Sequence, residues 1–81
     1  MKHSNMTSAQ LRAARAMANL TIAQLSKASN VHRNTISALE SDRSMPNHST
    51  IAALRKALEE AGVEFIEENG GGPGVRLRKP V

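Results

Sequence analysis

The chain has 81 residues and a net charge of +4, enough for one small domain. One Phe, no Trp and no Tyr leave the core to Leu, Ile, Val, Met and Ala, and the absence of Cys excludes disulfides and thiolate-bound zinc and fits a reducing cytoplasm. No apolar run approaches the roughly 18 residues needed to span a bilayer, and the opening MKHSNMTS lacks the apolar core of a signal peptide.

The distribution of charge says more than its sum. Residues 1–58 carry eight Lys/Arg against only Glu40 and Asp42. Residues 59–68 carry five glutamates, and the end carries Arg76, Arg78 and Lys79. A basic body followed by an acidic stretch suits a polyanion on one side of the molecule only. The plainer alternative is a solvated surface that happens to be basic.

Residues 1–6 read as a frayed polar arm in which Lys2 and His3 could touch phosphate. Helix 1 is expected from about Ser8 to Ala18, capped by Thr7 with Gln10 in a capping box. Leu11, Ala14, Arg15 and Ala18 share one face of it. Arg15 is the one cation on that apolar stripe. It either snorkels to water or pairs with an acid, and Glu40 and Asp42 are the only acids in the first 58 residues.

Helix 2 starts at Thr21 with a second capping box to Gln24 and ends near Ala28; Ala23, Leu25, Ser26 and Ala28 are its apolar or small positions. The turn Ser29-Asn30-Val31 needs a left-handed residue, and Asn30 supplies it. Helix 3 runs from about His32 to Glu40 with no strong cap at either end. Its Val31, Ile36 and Leu39 face inward, while Arg33, Asn34, Ser37 and Ala38 face out, flanked by Thr35 and Glu40. Two short helices joined by a tight turn at a steep angle are the helix-turn-helix unit.

A polar loop follows, and Pro46 stops any continuation. Helix 4 opens after Asn47, with Asn47 or Ser49 as cap; Ile51, Leu54, Leu58 and Ala61 form its inner face, and Gly62 ends it. The tail then changes period: residues 63–66 and the alternating residues 75–78 read as a β-hairpin around a floppy loop, residues 69–74. Its apolar face, Val63, Phe65 and Leu77, must find cover, and its open edge must be paired or shielded. The expected division is a helix-turn-helix domain over 7–62 and a hairpin tail over 63–81.

The outward face of helix 3 carries the chemistry of base recognition. Arg33 is a natural bidentate donor to guanine O6/N7, Asn34 suits adenine or a phosphate, and Ser37 and Ala38 are small enough to let the helix sit deep, with Ala38 able to touch a thymine methyl. Phosphates are expected at the flanks: His32 and Thr35 on helix 3, Thr21 with the amide end of helix 2, and Ser41, Arg43 and Ser44 after helix 3. Each of these is otherwise an ordinary solvated side chain. The acidic stretch cannot face DNA, so Leu58, Val63, Phe65, Val75 and Leu77 become candidates for a two-fold contact on the far side. The alternative is a hairpin that caps the monomer's own thin core.

Residues 11–60 resemble the Xre family, also called Cro/C1-type helix-turn-helix domains. The likeness rests on Arg15, LTIAQLS at 20–26, NVHRNTISALESD at 30–42, Pro46 and TIAALRKAL at 50–58. It implies a mainly α, lambda-repressor-like helix-turn-helix bundle of four to five helices, here with a C-terminal β-hairpin. It also implies a homodimer on a double-stranded, inverted-repeat operator, helix 3 in the major groove, and an ion pair between Arg15 and Glu40. Three departures matter. Ile22 replaces a Gln that touches DNA in many relatives, so that contact is lost; Ser26 stands for the usual Ala; Asp42 stands for the usual turn Gly.

The function classes separate on these grounds. A sequence-specific transcription regulator, a repressor acting by promoter occlusion in the cytoplasm of a bacterial or phage-type system, leads. A protein-interaction module comes second, such as an antitoxin whose tail binds a toxin, or the target of an antiactivator. Catalysis is not expected. His3, His32 and His48 have no metal spacing, Glu59/Glu60 and Glu67/Glu68 diverge as adjacent pairs, and there is no nucleophile–base set. No cofactor is expected. A sensor domain does not fit beside the helices in 81 residues, so control is expected to lie in concentration or in a partner.

Overall fold

The computed structural model describes residues 6–44 and 47–78; Lys2, His3, Pro46 and Lys79 lie outside them. Four helices and one hairpin follow in chain order: α1 (Ser8–Met17), α2 (Ile22–Ser29), α3 (Arg33–Glu40), α4 (His48–Glu60), β1 (Val63–Ile66) and β2 (Gly74–Leu77). The architecture is mainly α, with the antiparallel hairpin at the C-terminal end.

Local chemistry sets the helix ends. Thr7 and Thr21 each accept from the amide three residues on, and Gln10 and Gln24 return a side-chain acceptor to the cap's own amide. Asn47, rather than Ser49, caps α4 by accepting from Thr50 N. After all four helices the chain turns through a left-handed residue: Asn19 at φ 61°, Asn30 at φ 65°, Asp42 at φ 59° and Gly62 at φ 102°. That conformation turns the next amides back onto the last free carbonyls. Leu20 N reaches Arg15 O at 3.1 Å, and Arg43 N reaches Ala38 O at 2.8 Å. Helix 3 is therefore capped at both ends, contrary to expectation, because His32 Nδ1 accepts from Asn34 N at 3.0 Å and Asp42 closes the far end.

Leu11, Leu25, Ile36, Leu54, Leu58 and Val63 are fully buried, one or two from each element except β2. Two inner faces differ from those expected. On α2 Leu25 is buried and Ile22, Ser26 and Ser29 are half-buried beside it, while Ala23 and Ala28 are exposed; spacing of three, four and seven keeps one face. On α4, Ala57 joins Leu54 and Leu58, and Ala61 is exposed because the helix has already ended there as its C-cap.

The hairpin covers the core itself. Val63 pairs with Leu77 and Phe65 with Val75, so these four side chains share one face. That face lies against α4 and α1: Val63 and Phe65 are buried, and Arg55 stacks its guanidinium 5.1 Å from the Phe65 ring centre. Gln10 ties the hairpin to α1, donating to Gly74 O at 3.0 Å. The connecting loop is hydrogen-bonded within itself. Glu68 Oε2 accepts from the amides of Gly70 and Gly72 at 2.9 and 3.2 Å, and Asn69 Oδ1 accepts from Gly71 N. A run of free amides around one carboxylate is a ready anion nest filled from within the chain.

Candidate nucleic-acid interface

Helix α3 is fastened from behind. Ile36 and Leu39 are buried, and Val31 packs against the same cluster. Glu40, at the last turn, is buried although charged. Arg15 Nε donates to Glu40 Oε2 at 2.6 Å and Arg15 Nη2 to Glu40 Oε1 at 3.0 Å, while Arg15 Nη1 reaches Leu20 O at 3.0 Å. This two-pronged pair holds the guanidinium above its ordinary pKa, chiefly through the hydrogen bond to Glu40.

Two further residues of α1 join that grip, and neither was singled out from the sequence. Arg12 Nη1 donates to the Glu40 carbonyl at 2.6 Å, and Ser8 Oγ donates to Asp42 Oδ2 at 3.0 Å. Ser8, Arg12 and Arg15 stand four and three residues apart, so one stripe of α1 holds the C-terminal end of α3. The i, i+4, i+7 spacing was readable; the acceptor carbonyl was not, because a backbone group leaves no mark in a sequence.

The opposite face of α3 is open. Arg33 and Asn34 are exposed, and Ser37, Ala38 and Thr35 are half-buried. Arg33, Asn34 and Ser37 fall on one stripe at spacings of four and three. His32 caps the helix through Nδ1, which must be unprotonated to accept; the ring proton then sits on Nε2, free to donate outward.

The expected phosphate-binding residues separate on the geometry. Thr21, at the exposed amide end of α2, uses its oxygen as the cap acceptor and retains its hydroxyl proton. Ser44 is exposed. Ser41 is exposed, and its hydroxyl donates to Ser37 O at 2.6 Å. Arg43 Nη2 donates to Ser37 Oγ at 3.3 Å, on the open face of α3.

The residues expected at a two-fold contact are largely spent. Leu58, Val63 and Phe65 are buried within the monomer, so they cannot also meet a partner. Val75 is half-buried against the core, and Leu77 alone is open, at 55% exposure. The physical reason is the thin helical layer: the hairpin packs on α1 and α4 and completes the monomer's own core.

Among the described residues, no three His, Asp or Glu side chains are grouped to hold a metal ion. Among the described residues, no helix is long and apolar enough to cross a membrane. A family model described as Helix-turn-helix matches residues 11–65, which include α2, α3, α4 and most of β1. None of the curated proteins compared matches the chain.

Proposed function

From a chain that belongs to the Cro/C1-type, Xre-like helix-turn-helix family, and is thereby a DNA-binding transcription regulator, we propose a homodimeric repressor of an inverted-repeat operator. The observation that carries the reading is the two-sided character of α3: Ile36, Leu39 and Glu40 anchor it, and Arg33, Asn34, Ser37 and Ala38 look outward. In this reading α3 enters the major groove, Arg33 grips a guanine, Asn34 meets an adenine, and Ala38 lies against a thymine methyl. Thr21, His32, Thr35 and Ser44 hold phosphates on either side.

The dimer contact follows from the free edge of β2. Arg78 N donates to Gly62 O at 2.8 Å, continuing the ladder, so residues 74, 76 and 78 turn their peptide groups toward β1. Val75 and Leu77 turn theirs away from it. Two such edges running antiparallel supply each other's missing hydrogen bonds and cover Leu77. Such a dimer sets its recognition helices ~34 Å apart, one turn of the duplex. Bound across a promoter, it represses by occlusion.

Two measurements test this. Footprinting on the DNA upstream of the protein's own gene is expected to protect a two-fold symmetric site, and Arg33→Ala to abolish the preference at one base pair in each half. Light scattering is expected to give twice the chain mass, and Leu77→Lys to give the monomer mass. An unchanged preference without Arg33 overturns the docking of α3, and an unchanged dimer in Leu77→Lys overturns the β2 contact.

A further inference from the structure

We infer that Arg43 reads a base, as an extension of α3, and does not clamp a phosphate, and that Ser37 is the residue that positions it. The inference rests on the proposed docking of α3 in the groove and assigns a specificity role to a residue beyond the helix.

The backbone explains how Arg43 reaches that face. Asp42 adopts φ 59°, and the turn closes with Asp42 N to Leu39 O at 3.3 Å and Arg43 N to Ala38 O at 2.8 Å. The chain is folded back onto the last turn of α3, so the Arg43 side chain starts beside the helix and runs along it. Its Nη2 ends on Ser37 Oγ. Ser37 follows Arg33 by four residues and Asn34 by three, so the Arg43 guanidinium joins their stripe at its C-terminal end. A larger residue at position 37 would occupy that place itself.

The electrostatics agree. No described carboxylate is paired with Arg43. Asp42, its neighbour, accepts instead from the Ser8 hydroxyl. An exposed guanidinium carries five N–H donors, and the bond to Ser37 uses one of them. The remaining fork matches the O6/N7 edge of guanine, one of the two ligand geometries a planar guanidinium serves best. The other is phosphate. A phosphate clamp belongs off the reading stripe, toward the sugar–phosphate wall, whereas Arg43 is drawn in over Ser37.

Selection from a randomised duplex library, followed by salt titration on the selected site, separates the two. Wild type, Arg33→Ala, Arg43→Ala, Arg43→Lys and Ser37→Ala are compared. Arg43→Ala is expected to erase the preference for guanine at one base pair, different from the one lost in Arg33→Ala. It should weaken the selected duplex about 5- to 150-fold and random duplexes much less. Arg43→Lys keeps the charge but not the fork, and is expected to lose the same preference. Ser37→Ala is expected to blur it without changing the salt slope.

If Arg43→Ala weakens all duplexes alike, lowers the log–log salt slope by about one and is rescued by Lys, Arg43 is a phosphate clamp and the inference fails. If Arg33→Ala also changes no preference, the docking of α3 fails with it. If only Arg33→Ala changes the preference, the docking stands and this inference alone falls.

Discussion

Replacing Glu40 by Gln removes one charge from the best-buried ion pair among the described residues while keeping the side-chain shape. The Glu40 side chain is 8% exposed and that of Arg15 is 24% exposed. The substitution leaves the guanidinium facing a neutral amide, with donor set against donor at one of its two contacts. Stranding one partner of a fully buried pair costs ~3–5 kcal/mol. Water reaching the open quarter of Arg15 lowers this to about 2–3 kcal/mol. A chain of this size has a total stability of roughly 4–12 kcal/mol, so the loss is a large fraction of it. It corresponds to a fall in Tm of about 10–20 °C. Alkali cannot replace mutagenesis for discharging the cation, since the hydrogen bond to Glu40 raises the Arg15 pKa further. The assay is a double-mutant cycle with Arg15→Met, read by urea and thermal melts followed by circular dichroism. Coupling above about 1.5 kcal/mol is expected. A value under about 0.5 kcal/mol, as exposed pairs give, would refute the claim that this pair is sheltered from water. Arg12 still holds the Glu40 carbonyl in the Gln variant, so α3 is expected to stay docked and DNA binding to survive below the new Tm.

Gly62→Ala should cost about 1–2 kcal/mol, read from urea melts: a Cβ there meets nothing within 4 Å, but φ is 102°, so the penalty is all backbone. Asp42→Gly relieves a left-handed non-glycine at the loss of one exposed hydrogen bond to Ser8, and is expected to hold stability level or raise it by up to about 1 kcal/mol; a clear loss would mean that the Ser8 bond dominates. Glu64 lies below its ordinary carboxylate pKa, first because Arg76 donates to it and then through the charge of Arg76. A carboxylate with a lowered folded pKa adds stability above its unfolded value and loses it as pH falls through the folded one. The fall in Tm on acidification should therefore be smaller in Glu64→Gln than in wild type, and equal falls would refute the assignment.

Much of this architecture was legible in the chain because its signals are local. Thr7 with Gln10, and Thr21 with Gln24, advertise two helix starts at fixed spacing, and Asn30 and Gly62 mark two ends. The aliphatic spacing of Ile36 and Leu39 marks the buried side of α3. What stayed hidden depends on partners far away in sequence. His32 was not read as a cap, since an imidazole accepts only in one tautomer. Glu68 was not seen to organise the glycine loop, nor Arg12 to hold a carbonyl. The two-residue period of the hairpin identified Val63, Phe65 and Leu77 as one apolar face, but not what covers it. Leu58, Val63 and Phe65 went to a partner on paper and to the monomer core in three dimensions, because a thin helical layer needs its own roof first.

Gln10 gives the molecule a dependence between its two ends. Its Oε1 receives the Thr7 amide, closing the first helical turn, and its Nε2 donates to Gly74 O, 64 residues further on. During synthesis the turn can close as soon as it leaves the ribosome, while the amide waits for Gly74, 64 residues later. Strand β2 is thus stitched to the first turn of α1. Damage to β2 should be felt at the start of α1, and amide exchange at Thr7 should report whether the hairpin is in place.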